Sequence, residues 1–195
     1  MFQTNRLVII AGTSAVGKST FLEKMQQGNV PHICDQLDIG FPSSYLYYDA
    51  DQLHKVRQAY LTRLVLHYDF LYQYSPKGGF ALLPTLIEKS YSIVVLTLHT
   101  SSEVLLKRIR KRLKRALISF VCNPGEGTAK NLYYQLKTRQ FYSSASNLAL
   151  QYVKWAKFIE ECGVEKHLVL DSTNFDFTMA RPYENNENTI LKRTL

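Results

Sequence analysis

The stretch RLVIIAGTSAVGKSTFL, residues 6–22, restricts the folds open to this chain more than any other feature. It opens with a continuous apolar run that ends at Gly12, the pattern of a strand buried on both faces. From Ser19 to Gln27 the residues favour a helix, which Gly28 closes. Between strand and helix, Gly12, Thr13, Ser14, Ala15, Val16, Gly17, Lys18 and Ser19 fit G-x-x-x-x-G-K-[ST], the Walker A or phosphate-loop pattern. Each part has a physical task. Glycines let the backbone curl so that successive N–H groups point inward at a phosphate. The start of the helix adds its positive end. The ammonium of Lys18 reaches the outer phosphates, the hydroxyl of Ser19 takes one position on Mg²⁺, and Thr20 is the expected next phosphate contact.

Three further apolar runs follow: Arg63 to Phe70, Tyr91 to Leu98, and Lys166 to Thr173. Another strand is expected between Val30 and Ala50. Helical patterns separate the runs. Thr100 and Glu103 have capping-box spacing, and Leu148, Tyr152, Trp155 and Ile159 recur at helical spacing before Gly163. Strands alternating with helices predict an α/β fold, a three-layer sandwich with a parallel sheet of about five strands covered by helices on both faces. Length predicts one domain over residues 1–195. The segment Cys122 to Asn131 reads as a mobile loop and residues 181–195 as a polar, disordered tail.

The chain carries a formal net charge of +8 with a pI near 9.3. That suits an anionic partner, and nucleotide phosphates, nucleic acid and acidic lipid all fit it. Cys34, Cys122 and Cys162 show no CxxC pair or metal spacing, so a reduced, cytoplasmic setting is the simplest expectation. Leu7 to Gly12 is shorter than a secretory apolar region of about 7–15 residues. No segment approaches the roughly 20 apolar residues of a membrane span.

The N-terminal phosphate loop and the segment TLHTSSEVLLKRIRKR, residues 97–112, together resemble the P-loop kinases, the group holding nucleoside-monophosphate kinases and small-metabolite kinases of the gluconate and shikimate type. The second segment is similar to that group's strand, turn and arginine-bearing helix leading to a lid, here expected over residues 116–140. The resemblance implies ATP and Mg²⁺ as cofactors and a small-molecule phosphate acceptor. It implies that the strand beside the loop strand ends in an acidic residue near the metal, for which Asp69 is the best match. Asp69 would order a metal-bound water or accept a proton from the attacking hydroxyl; the alternative is a carboxylate capping the next segment. His67, two residues earlier, shares its strand face; it reads as a core histidine or as a partner in catalysis.

On a helix, Leu105, Ile109, Leu113 and Ala116 form a buried stripe, and Lys107, Arg110 and Lys114 face away. Arg108, Arg112 and Arg115 line one edge of the stripe. By resemblance, Arg108 stacks on the nucleotide base and Arg112 contacts phosphate, tasks that suit a planar, forked cation; a solvated surface is the competing reading. Arg139 would be a second lid arginine, and Ser172 to Phe175 would pass over the adenine. On the acceptor side, Asp49 and Asp51 among tyrosines suit a polyol, a sugar or a base edge, or else begin a helix at the surface. Gly78 and Gly79 are similar, weakly, to an acceptor loop.

Three readings follow. The first is an Mg²⁺–ATP-dependent phosphotransferase with Lys18, Asp69 and Arg112 at its centre. The second is a nucleotide-binding regulator or slow NTPase without an acceptor, and the third a kinase of nucleic-acid ends, which the charge allows but does not favour. The absence of an N-K-x-D sequence prefers adenine to guanine, and Gly17-Lys18-Ser19 followed by Thr20 favours a triphosphate over the ligand of a sulfotransferase.

Overall fold

The computed structural model describes residues 3–40, 42–49, 60–71 and 79–183. The apolar runs become β1 (Gln3–Gly12), β3 (Tyr60–Asp69), β4 (Ile93–His99) and β5 (Lys166–Asp171). The strand expected between Val30 and Ala50 is β2 (Leu46–Asp49), and Arg181–Pro182 forms a two-residue β6. The sheet runs β2-β3-β1-β4-β5-β6; every pairing is parallel except that of β5 with β6. The expected α/β architecture is therefore present, with five parallel strands and one short antiparallel addition. The start of the expected disordered tail, Arg181–Pro182, is tied to Leu168 and Val169 of β5 by strand pairing; residues 184–195 lie outside the described part.

Leu7 to Ala11 of β1 are all fully buried, as are Val94, Val95 and Leu96 of β4. Successive strand side chains point to opposite faces, so burial at consecutive positions requires cover on both sides of the sheet. That cover comes from α1 (Lys18–Gln26), α2 (Pro31–Gln36), α3 (Gly79–Glu88), α4 (Ser102–Cys122) and α6 (Ala145–Glu161), whereas α5 (Glu126–Phe141) packs on α4 and buries only Thr138. On α6, Leu148, Tyr152, Trp155 and Ile159 are buried as their spacing predicts. Tyr152 donates to the Leu98 carbonyl at 2.8 Å and Trp155 Nε1 to Thr97 Oγ1 at 2.9 Å, which fixes the helix to β4. After β1 the chain moves outward to β2 and back through β3, then crosses to the other side of β1 for β4. Such a reversal opens a crevice at the carboxyl ends of the strands, where ligands bind in open α/β sheets.

Two local expectations are corrected. The N-cap of α4 is Ser101, whose hydroxyl accepts from Val104 N at 3.4 Å, while Thr100 is buried and meets Thr173 Oγ1 at 3.1 Å. The segment Cys122 to Asn131 is not a loop: α4 runs to Cys122 and α5 begins at Glu126. Thr128 makes this reversal short, because its hydroxyl accepts from Gly125 N at 3.0 Å and lies 2.9 Å from the Asn123 carbonyl. The result is a helical hairpin over residues 102–141. It contains ten Lys and Arg against two acidic residues, a surplus equal to the +8 of the whole chain.

Candidate functional site

The phosphate loop sits at the crevice, between the carboxyl end of β1 and the start of α1. Its glycines answer to contacts as well as to dihedrals. A side chain on Gly12 would stand 2.8 Å from the Leu98 carbonyl oxygen, so β1 and β4 can approach only with glycine there. Gly17 has φ 115°, and a Cβ on it would lie 2.7 Å from the ring of Phe175. Ala15 also takes a left-handed conformation, φ 68°. Turns of this kind alternate the direction of the backbone and gather N–H groups into a concave nest. No side chain caps the first turn of α1, so its leading amides remain directed at that nest.

Lys18 is buried, with 4% of its surface exposed. Its Nζ donates to the carbonyls of Gly12 at 2.9 Å and Thr13 at 2.7 Å and to Asp69 Oδ2 at 3.1 Å. Burial lowers its pKa, and the Asp69 carboxylate opposes that shift. The strand register explains the pair: Gly12 and Asp69 are direct partners across β1 and β3, so the end of β3 delivers its carboxylate to the loop. Asp69 Oδ2 also accepts from Ser14 Oγ at 2.7 Å, and Oδ1 accepts from Leu71 N at 3.0 Å. Oδ2 thus holds the loop and its lysine, while Oδ1 caps the turn that follows β3. Ser14 Oγ lies 3.3 Å from the hydroxyl of Tyr134 on α5, so the hairpin reaches back over the loop.

Ser19 and Thr20 begin the first turn of α1. Ser19 lines a cavity of about 260 Å³ together with Leu22, Glu23, Gln26, Tyr47, Tyr48, Asp49, Val65 and His67. Tyr47 and Asp49 share a face of β2, and their register partners are Val65 and His67 of β3. His67 Nδ1 is paired with Asp49 Oδ1. The oxygen donors around Ser19 are the chemistry a hard divalent cation takes. A cation that keeps several waters and shares substrate phosphates needs only one or two carboxylates. No group of three or more His, Cys, Asp or Glu side chains placed to hold a metal occurs among the described residues.

The arginines separate into different surroundings. Arg108 leans inward: its guanidinium donates to the carbonyls of Val16 at 3.0 Å and of Ser172 and Thr173 at 2.7 Å each, and lies 3.9 Å from the ring centroid of Phe175. It joins the phosphate loop to the turn after β5, and Ser172 Oγ reinforces that joint by donating to Val16 O at 2.5 Å. Arg112 is exposed, and its charge acts on Lys18, Arg108 and Tyr134. Arg115 and Arg139 are exposed, as are Lys107, Arg110 and Lys114, while Leu105, Ile109 and Ala116 are buried. A second cavity, about 460 Å³, adjoins Thr173 and is lined also by His99, Asp171, Asp176 and Arg181.

The structure brings together Gly12 to Ser19, Asp69 and Arg108. Asp51 and Gly78 lie outside the described residues, and Gly79 is the first residue of α3. Tyr134 and the Asp49–His67 pairing are not found by reading the chain. A single tyrosine among 13 carries no local signal, and the pairing requires a strand register. Burial raises the Cys34 and Cys162 thiol pKa values, the reverse of what a nucleophilic cysteine needs. No helix among the described residues is long and apolar enough to cross a membrane.

No protein-family model and no curated protein matches the chain. Among solved structures, the chain is similar to one from the PezAT chromosomal toxin–antitoxin system of the human pathogen Streptococcus pneumoniae, at 11% identity and a TM-score of 0.48, covering 98% of this chain and 78% of that one. It is also similar to shikimate kinase from Bacteroides thetaiotaomicron, at 9% identity and a TM-score of 0.34, covering 96% and 94%. At these levels the reading of the site rests on the chain's own geometry.

Proposed function

We propose that the chain is an ATP-dependent phosphotransferase that uses Mg²⁺ and acts on a small-molecule acceptor. The observation that supports this most is the buried Lys18, held by Asp69 and two loop carbonyls at the mouth of a glycine-shaped nest at the crevice of a parallel sheet. A buried ammonium facing inward amides is a site for an anion with several charges, and a nucleoside triphosphate supplies them. In this reading the amides of residues 12–19 and Lys18 hold the β- and γ-phosphates. Ser19 takes a position on Mg²⁺, which neutralises charge on the phosphates when bound. Thr20 contacts the next phosphate. Arg112 adds charge neutralisation from the hairpin, and hairpin residues 116–140 serve as the lid. Arg108 and Phe175 form a flat surface beside the loop, on which a base can stack. Asp69 sets the position of Lys18 and would be free to orient a water beside Mg²⁺ if a phosphate took its place as the partner of Lys18. Phosphoryl transfer is accelerated mostly by positioning and electrostatic stabilisation, so these roles suffice for it.

Calorimetry of the full chain with Mg²⁺ and ATP, beside a Lys18→Ala variant, tests the reading. Heat of binding from the parent and none from the variant supports it. No heat from any nucleoside triphosphate with folded protein refutes it. The regulator reading predicts binding with hydrolysis and no transfer to any acceptor.

A further inference from the structure

The cavity beside Ser19 has a charge opposite to that of the hairpin. Its lining holds two carboxylates, Glu23 and Asp49, and no Lys or Arg among the described residues. The hairpin carries the chain's entire surplus of positive charge. Seen from Ser19, one side of the site is built for anions and the other repels them. Ser19 lines the cavity and follows Lys18 directly at the start of α1, so the cavity opens beside the phosphate loop. The cavity walls are also fixed. Tyr47 donates its hydroxyl to the Pro42 carbonyl at 2.9 Å, Asp49 is held by His67, and the Val65 side of the cavity is buried. A preorganised wall of tyrosine, carboxylate and imidazole offers hydrogen-bond acceptors to hydroxyl groups and an apolar surface to carbon.

We propose that this cavity binds an uncharged polyhydroxy compound, of sugar or polyol type, and presents one of its hydroxyls to the phosphate loop. This rests on the reading of the loop as a triphosphate site. Acceptors bearing phosphate or carboxylate bind more weakly, because an anion beside Glu23 and Asp49 meets no Lys or Arg among the described lining residues. In the transfer, the acceptor oxygen bonds to the γ-phosphorus as the bond from that phosphorus to the β–γ bridging oxygen breaks. The nucleoside diphosphate leaves with that electron pair, and the hydroxyl proton passes to water in the open cavity.

The test uses the full chain saturated with Mg²⁺ and a non-hydrolysable ATP analogue, whose own binding is measured first. Failure at that first step refutes the triphosphate reading rather than this one. Glucose, N-acetylglucosamine, ribitol and myo-inositol are then titrated beside gluconate, glucose 6-phosphate and glucosamine, by saturation-transfer NMR. The expected result is binding of at least one neutral compound, with its anionic counterpart at least about tenfold weaker, the scale of a hydrogen bond to a charged group. Asp49→Asn should weaken the neutral ligand by about tenfold, and Glu23→Lys should reduce the discrimination against glucose 6-phosphate. Glu23 lies on an exposed helix face, so its variant keeps the test open if Asp49→Asn fails to fold. Binding of none of the four neutral compounds, tighter binding of gluconate or glucose 6-phosphate, or a preference for glucosamine overturns the proposal.

Discussion

Replacing Asp69 by asparagine tests the central electrostatic claim, because this carboxylate and Lys18 are each other's ionic partners in a buried place. The amide keeps the size of the side chain and can still accept from Leu71 N, but it removes the negative charge that faces Lys18 and Ser14. Breaking a buried ion pair on one side costs about 3–5 kcal/mol, most of it from the charge left uncompensated. With a urea dependence of about 1–3 kcal/mol per molar, the unfolding midpoint should fall by at least about 1 M. Trp155 is the chain's single tryptophan, buried and stacked on Tyr68 with 4.8 Å between ring centroids, so its fluorescence reports the transition. The informative measurement is the same titration with saturating Mg²⁺ and ATP. Phosphates provide Lys18 with a new partner, so nucleotide should stabilise the variant more than the parent, beyond the mass-action gain both receive. A variant within about 1 kcal/mol of the parent would mean that the ion pair contributes little. An equal nucleotide effect on both proteins would mean that Lys18 does not meet phosphate, and the account of the loop would fail.

Three other outcomes are expected. Burial pushes His167 down to about 4 from an ordinary 6.5, beside Thr97 Oγ1 at 2.8 Å and the stacked Tyr183 ring; the unfolded chain therefore binds the proton first. Stability from this group is present above pH 6.5 and is lost as pH falls toward 4, by about 2 kcal/mol between pH 7 and 4.5. Urea unfolding of parent and His167→Gln at both pH values checks this, and an equal loss in the variant contradicts it. Gly17→Ala should abolish nucleotide binding and destabilise by about 2 kcal/mol, since it combines a positive φ with a Cβ 2.7 Å from Phe175. Adding Phe175→Ala should recover only part of that loss, because the dihedral penalty stays; full recovery would show contact alone to be decisive. Replacing the exposed Lys107, Lys111 and Lys114 by glutamine should slow ATP association and flatten its dependence on salt, measured by stopped flow. An unchanged salt slope would place the steering charge elsewhere.

The parts legible in the sequence are those in which one short segment determines its own geometry. In the run through β1, loop and α1, burial on both faces, the required glycines and the helix start lie within residues 3–26, so the order of residues alone places Lys18 in the nest. β2 is different: four residues at a sheet edge, with Leu46 exposed and the others half-buried, carry neither a continuous apolar run nor alternation. The hairpin turn is not legible in the sequence because Asn123, Pro124 and Gly125 mark a break without stating its length. Only the capping contacts of Thr128 show that helix resumes at once. The roles of Asp69, His67 and Asp49 depend on register. Sequence places Asp69 at a strand end and His67 on the same face, but pairing Gly12 with Asp69 and Asp49 with His67 assigns one carboxylate to Lys18 and the other to a different cavity. A shift of one residue in either register would turn those side chains to the opposite face of the sheet. The division of the site into a half where Asp69 holds Lys18 and a half where Asp49 pairs with His67 therefore follows from how β2 and β3 align with β1, and changing Asp49 should leave the hold of Asp69 on Lys18 intact.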